Sequence, residues 1–269
     1  MGAKLFGAAV KRLEDPDLLK GNGTYTDDVQ FSNTLHAVFV RSPHPHARFT
    51  KIETSAAKAM EGVCGVFTLE DFPKDIQDNK LLLLLPNPSI VQPMMPYLLA
   101  RDEVHFAGEA VACVVAESRY LAEDAAAAIA IDWEMLPSAS DAREAVKSGS
   151  PLSHSDGKDN ISARFVNEYG DVASAFSGAS HQVVVSIRHH RGGGHSLEGR
   201  GTLAVYDPDE GRTILWSATQ APHQVKRNII GVLNWNENEI DVIAPEVGGG
   251  FGPKAMFYAE EAVIPFIAR

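Results

Sequence analysis

The chain has 269 residues, a formal net charge of -11, and 45% apolar against 22% charged residues. That is an ordinary globular composition, long enough for one large domain or two moderate ones. No Lys/Arg cluster stands against the acidic balance, which excludes nucleic-acid and anionic-membrane surfaces, since both need a concentrated positive field.

The N-terminal stretch MGAKLFGAAVKRLEDPD has no long apolar segment followed by a small-residue cleavage site, so no secretory leader is expected. MGAKLF matches a myristoylation start only in part, with Phe6 where Ser or Thr is needed. The apolar run Leu81–Leu85 is far too short to cross a bilayer, and the expected location is cytoplasmic. Cys64 and Cys113 each sit in an apolar run (GVCGVF and AVACVV), which predicts two buried, reduced core thiols.

In chain order, Thr34–Val40 predicts a strand closed by the prolines of Arg41-Ser-Pro-His-Pro-His46. Val63–Leu69 predicts another. Residues 73–100, rich in Pro, Asn and Leu and without periodicity, predict a long loop or insertion. Glu109–Ala116 reads as a buried strand, Ser118 as a helix start, Arg119–Ile129 as an alanine-rich helix, and Ile131–Met135 as a returning strand. Strand, helix and strand with short joins make a compact α+β unit. Residues 138–160 are polar and read as a linker, with one short helix over Asp141–Lys147.

The second half predicts a strand over His181–His189 and a hairpin of Thr202–Tyr206 and Thr213–Ala218 about the turn Asp207–Gly211. Pro222 suits the first turn of a helix that puts Val225, Ile229, Val232 and Leu233 on one face. Ile240–Ala244 predicts a strand, Val247–Lys254 a glycine loop, and a last helix runs from Met256.

The chemistry-bearing candidates are few. VGGGFGPK is neither a P-loop, lacking GK[ST], nor a dinucleotide fingerprint. Consecutive glycines before a helix let backbone N–H groups approach an anionic ligand, or simply pack a strand on a helix; both readings stay open. Gln220, at a strand end before a helix, is placed to donate to an oxo or carbonyl oxygen, or to cap the helix. The histidines, His189-His190-Arg191-Gly-Gly-Gly194-His195 included, match no zinc spacing, and no metal ligand is assigned. Glu198 and Arg200 in SLEGRG suggest an ion pair. No G-x-S-x-G elbow offers esterase chemistry.

Taken together these motifs resemble the large subunits of molybdenum hydroxylases of the xanthine dehydrogenase, aldehyde oxidase and carbon monoxide dehydrogenase type. The resemblance is carried in order by Val10–Pro16, Leu18–Asp28, Leu35–His44, Val104–Val111, Arg119–Ala126, Asp132–Pro137, Leu197–Gly201, Thr219–Pro222 and Ala244–Lys254. It implies an α+β chain with an α/β hammerhead domain and N-terminal arm over 1–137, a linker over 138–160, and the N-terminal part of a molybdopterin-binding domain over 161–269.

The resemblance further implies that Gln220 lies near the apical oxo ligand of molybdenum. Gly249, Gly250, Phe251 and Gly252 would pack against the molybdenum–molybdopterin cofactor, a cytosine dinucleotide in bacterial relatives. The implied reaction is hydroxylation of an aldehyde, an N-heterocycle or a related small organic substrate with water-derived oxygen. Iron–sulfur and FAD subunits or domains would carry the electrons away.

Three departures from the pattern matter. The general-base glutamate is expected beyond Arg269, so no catalytic residue is assigned, and a further chain supplying the C-terminal half is one expectation. The other is an inactive, truncated fragment serving as a structural or interaction module. Ala255 replaces a glutamate that helps some relatives bind purines, which argues against xanthine. His189–Gly194 is unusual where relatives carry more apolar residues.

Overall fold

The computed structural model describes residues 5–83, 87–190 and 192–269, so part of the 81–85 run, the first four residues of the N-terminal reading and Arg191 lie outside it. Two units share the chain, His195–Arg269 with the described part of Met1–Thr34 in one and Leu35–Gly194 in the other. The N-terminal arm carries one short helix, α1 (Asp15–Lys20), closed by Gly21 in the left-handed conformation.

The unit from Leu35 to Gly194 is built on β5 (Ala110–Ala116), an uninterrupted apolar run in which every residue is buried. It lies between β1 (His36–Arg41) and β3 (Val63–Phe67), antiparallel to both. A central strand buries both faces, which is why its sequence does not alternate. A second sheet sets β2 (Ala47–Glu53) between β4 (Glu103–Val104) and β6 (Ala130–Met135). β2 follows the prolines of 43–45 and was not expected, although its alternation is plain: Ala47 and Phe49 are buried, Arg48 and Thr50 exposed.

Successive β5 residues feed two clusters. Val114 and Ala116 pack with Val66, Ala122, Ala125 and Ile129, while Val111 packs with Ala47, Phe49, Ala100 and Val104. Each fully buried valine contributes about 1.5–3 kcal/mol. The helix over the first cluster, α4 (Arg119–Ala127), starts where expected: the Ser118 hydroxyl accepts the Leu121 N–H at 3.3 Å. The shorter helices are α2 (Ser55–Lys58), α3 (Lys74–Gln77), α5 (Ala142–Ala145) and α6 (Val172–Gly178).

Two expectations fail in this unit. Cys113 is buried and in no disulfide, as expected, but Cys64 is exposed. It lies on the edge strand β3 at a register shift between Val63 and Gly65, which breaks the alternation that would have put it on the face of the buried Val66. The strand expected over His181–His189 does not form: the segment has no ladder, and Val183, Val184, Val185 and Ile187 are 68–98% exposed. Its residues have strand propensity, but among the described residues no neighbouring strand satisfies their backbone groups.

In the other unit, β7 (Thr202–Asp207) and β8 (Arg212–Ser217) form the expected hairpin, and β9 (Ile240–Ile243) joins β8 in parallel. Helix α7 (Pro222–Leu233) returns the chain to β9, burying Val225, Ile229, Val232 and Leu233 as its periodicity predicts. Asn234 ends it in the left-handed region, which asparagine tolerates. The last helix, α8 (Glu260–Ala268), begins four residues later than expected, because residues 256–259 form a non-helical link after the 3-10 turn at Pro253–Ala255. Among the described residues no helix is long and apolar enough to cross a membrane.

Candidate functional site

β8 ends at Ser217, and the next residues meet the glycine loop. The Gln220 N–H and the Thr219 hydroxyl both donate to the Lys254 carbonyl, at 2.9 and 3.1 Å. The Thr219 hydroxyl also accepts the Ala221 N–H at 3.1 Å, which helps open α7. In turn the Gly252 N–H donates to Gln220 Oε1 at 3.2 Å. The structure therefore brings together Gln220 and the loop of Gly249, Gly250, Phe251 and Gly252, residues about thirty positions apart.

The Gly252 bond fixes the amide's orientation, because only Oε1 can accept it. Gln220 is exposed, and its Nε2 has no acceptor among the described residues. The close approach explains Gly250: a Cβ there would stand 2.2 Å from Gln220 Cδ. Gly252 has open space around it and is needed instead for its φ of 98°. Phe251 takes a φ of 51° and exposes 72% of its surface, a left-handed conformation that costs a bulky residue roughly 1–2 kcal/mol. Among the described residues, the Gly250 and Phe251 N–H groups have no hydrogen-bond acceptor. Unpaired amide hydrogens beside two free backbone N–H groups make a donor set suited to an anionic, oxygen-rich ligand.

Behind the loop, Lys254 is only 2% exposed and pairs with Glu198 at 2.7 Å. Glu198 and Arg200 do not pair, contrary to the expectation from SLEGRG. Arg200 instead lies 3.8 Å from Glu260 and stacks 3.6 Å over the Tyr258 ring. Residues two apart on a regular extended chain point to the same side, but here the backbone is irregular, and Glu198 turns to the loop that packs on it. Further in, Glu261 is buried and accepts the Ser217 hydroxyl at 2.7 Å and the Tyr258 N–H at 3.0 Å. Burial pushes its carboxyl up against those two hydrogen bonds.

Outside the loop, His189, His190 and His195 are exposed, and no three His, Cys, Asp or Glu side chains among the described residues gather as a metal-ligand set. A polar array unforeseen from the sequence lies in the unit from Leu35 to Gly194. His46 Nε2 meets Glu103 at 2.9 Å, His105 meets Glu109 at 3.3 Å, and the His105 and His154 rings stack at 3.9 Å. Burial pushes the Glu103 carboxyl up, but hydrogen bonds from His46 and Ser155 and the nearby His105 outweigh it and hold it at about 2. Burial and His105 lower His154. Three separate segments supply these groups, so no spacing in the sequence marks them.

Comparison with known proteins gives these residues a family. Residues 20–137 match the aldehyde oxidase and xanthine dehydrogenase a/b hammerhead domain, and residues 153–269 match the molybdopterin cofactor-binding domain. The chain belongs to the molybdenum hydroxylase large-subunit family of the xanthine dehydrogenase and aldehyde oxidase type. It is 39% identical over 267 residues to the nicotine 6-hydroxylase large subunit of Paenarthrobacter nicotinovorans, covering 98% of this chain and 32% of that protein. The carbon monoxide dehydrogenase large chain of Afipia carboxidovorans is 35% identical, with 94% and 32% covered. Among solved structures, quinoline 2-oxidoreductase from Pseudomonas putida 86 superposes with a TM-score of 0.87 at 32% identity, over 98% of this chain and 33% of that one. The chain thus spans about a third of the length of these relatives.

Proposed function

We propose that the chain is the cofactor-facing N-terminal part of a molybdenum hydroxylase that oxidises a small organic molecule, an N-heterocycle or an aldehyde, with oxygen taken from water. The observation that carries this reading is the Gln220–Gly252 hydrogen bond at 3.2 Å, which orients an exposed amide beside the free N–H groups of Gly250 and Phe251. Gln220, with Gly249, Gly250, Phe251 and Gly252, would hold the molybdopterin, its amide nitrogen and the loop N–H groups offering donors to the bound group. When bound, the group supplies the two-electron oxidation and the activated oxygen. The chain's own residues orient and hydrogen-bond it.

We read residues 1–137 as the hammerhead domain with its arm, 138–160 as a linker, and 161–269 as the N-terminal part of the cofactor domain. An N-heterocyclic substrate is supported by the names of two relatives, nicotine 6-hydroxylase and quinoline 2-oxidoreductase. Ala255 in place of a purine-binding glutamate supports a substrate other than xanthine. The same reading includes a cytosine dinucleotide form of the cofactor, iron–sulfur and FAD partners, and a cytoplasmic location.

The test is molybdenum per chain, by elemental mass spectrometry after gentle purification from the native cell. About one metal per chain is expected. Metal-free protein from cells whose other molybdenum hydroxylases are loaded contradicts the reading.

A further inference from the structure

The glycine loop is held from behind by one carboxylate. Glu198 Oε2 accepts the Gly248 N–H at 2.7 Å and the Lys254 ammonium at 2.7 Å, so the two ends of the 248–254 segment meet at a single oxygen. The Glu198 N–H returns a bond to the Gly248 carbonyl at 3.3 Å, and the Ser196 hydroxyl fixes the Glu198 carbonyl at 2.6 Å. A Cβ on Gly248 would stand 2.5 Å from Glu198 Cβ, so the loop sits directly on this side chain. The Lys254 side chain is 1% exposed, and its ammonium has no other carboxylate among the described residues. A buried ammonium needs a partner, so the pairing leaves little freedom to either group. The Lys254 carbonyl meanwhile receives the Thr219 hydroxyl and the Gln220 N–H. Lys254 therefore connects Glu198 on one side to the Gln220 backbone on the other.

We propose that Glu198 is the positioning residue of the candidate site: through Gly248 and Lys254 it sets the loop conformation that turns the Gly250 and Phe251 N–H groups and the Gln220 amide outward. The role given to that outward face rests on the molybdopterin reading, whereas the clamp itself does not. Glu198 touches no ligand in this scheme. It acts by shaping the loop, much as outer groups orient the direct ligands of a metal or cofactor.

Two double variants separate clamp from charge, since removing one partner alone strands a buried charge and risks the fold. Glu198→Ala/Lys254→Met removes the bridge and both charges. Glu198→Gln/Lys254→Gln removes both charges but leaves an amide pair able to bridge and to accept the Gly248 N–H. Hydrogen exchange on the full chain reads the amides of 248–255, with those of α7 as the control, and molybdenum and pterin content are measured on the same samples. The Ala/Met variant is expected to exchange at least tenfold faster in the loop, with α7 unchanged, and to lose at least tenfold in cofactor content. The Gln/Gln variant is expected to stay within threefold of the wild type in both. Loop exchange that is unchanged, that rises together with α7, or that is equal in the two variants overturns the proposal. So does full cofactor content in a variant whose loop has loosened. Should the wild-type chain carry no cofactor, the molybdopterin reading fails, and the exchange data alone still decide whether Glu198 clamps the loop.

Discussion

Two apolar runs within one unit, Ala110–Ala116 and residues 181–187, have opposite fates. The first, AVACVVA, is buried at every position between two antiparallel neighbours. The second, HQVVVSI, has as much β-branched character, yet it forms no ladder and leaves Val184 98% exposed. β-branched content does not separate them, although the second run carries three polar residues, His181, Gln182 and Ser186. The difference is supplied by partners: β1 and β3 accept the backbone of β5, and α4 covers one face of it. A strand is a property of a sheet, and propensity alone only nominates candidates.

The sharpest way to break this comparison is to put the same charge into both runs. Val114→Asp buries an unpaired carboxylate in the first cluster and is expected to cost about 4 kcal/mol. Val184→Asp sits on an exposed chain and is expected to change stability by less than about 0.5 kcal/mol. Urea melts followed by tryptophan fluorescence read both. Equal costs would mean that residues 181–187 are packed in solution and that the contrast is wrong.

The cysteines sharpen the same point at an edge and a centre. Cys64 on β3 is exposed and Cys113 on β5 is buried. A thiol reagent is expected to modify Cys64 at least about 100-fold faster, since labelling Cys113 requires opening the unit. Comparable rates would show that β5 is accessible in the native state.

A smaller effect concerns the other unit. Glu261 is raised above its ordinary value of 4.5 by burial. Its neutral form is the one the fold favours, so the stability linked to it is fully present below 4.5 and is lost as pH rises through the higher folded value. Glu261→Gln, which keeps an acceptor for Ser217, is expected to flatten this fall. Melting temperatures between pH 4 and 8 check it, and a slope unchanged by the substitution would remove Glu261 as its source.

Much of the fold was legible because it rests on local signals. Ser118 capped its helix, Pro222 opened α7, and the spacing of Val225, Ile229, Val232 and Leu233 named the buried face. β2 was hidden behind two prolines, although Ala47 and Phe49 alternate with exposed neighbours. The failures lie where a distant partner decides the outcome. Residues 181–189 needed a strand to pair with, Cys64 depended on the register shift of β3 against β5, and Glu198 chose Lys254, fifty-six residues on, over Arg200.

At the candidate site, residue types could nominate Gln220 and the glycine loop. Only the fold could show that they meet through Gly252, or that the Cβ space of Gly250 is taken by Gln220 itself. His105 and His154, stacked from segments forty-nine residues apart, left no mark in the sequence.

The most direct test of the central claim, that Gln220 and the glycine loop present one cofactor-facing surface, is molybdenum and pterin content in two glycine variants. Gly250→Ala places a methyl 2.2 Å from Gln220 Cδ and must displace that flexible side chain, whereas Gly199→Ala meets nothing within 4 Å. The account predicts at least a tenfold loss of cofactor in Gly250→Ala, with melting temperature near that of the wild type, and full content in Gly199→Ala. Full cofactor content in a folded Gly250→Ala protein would contradict it.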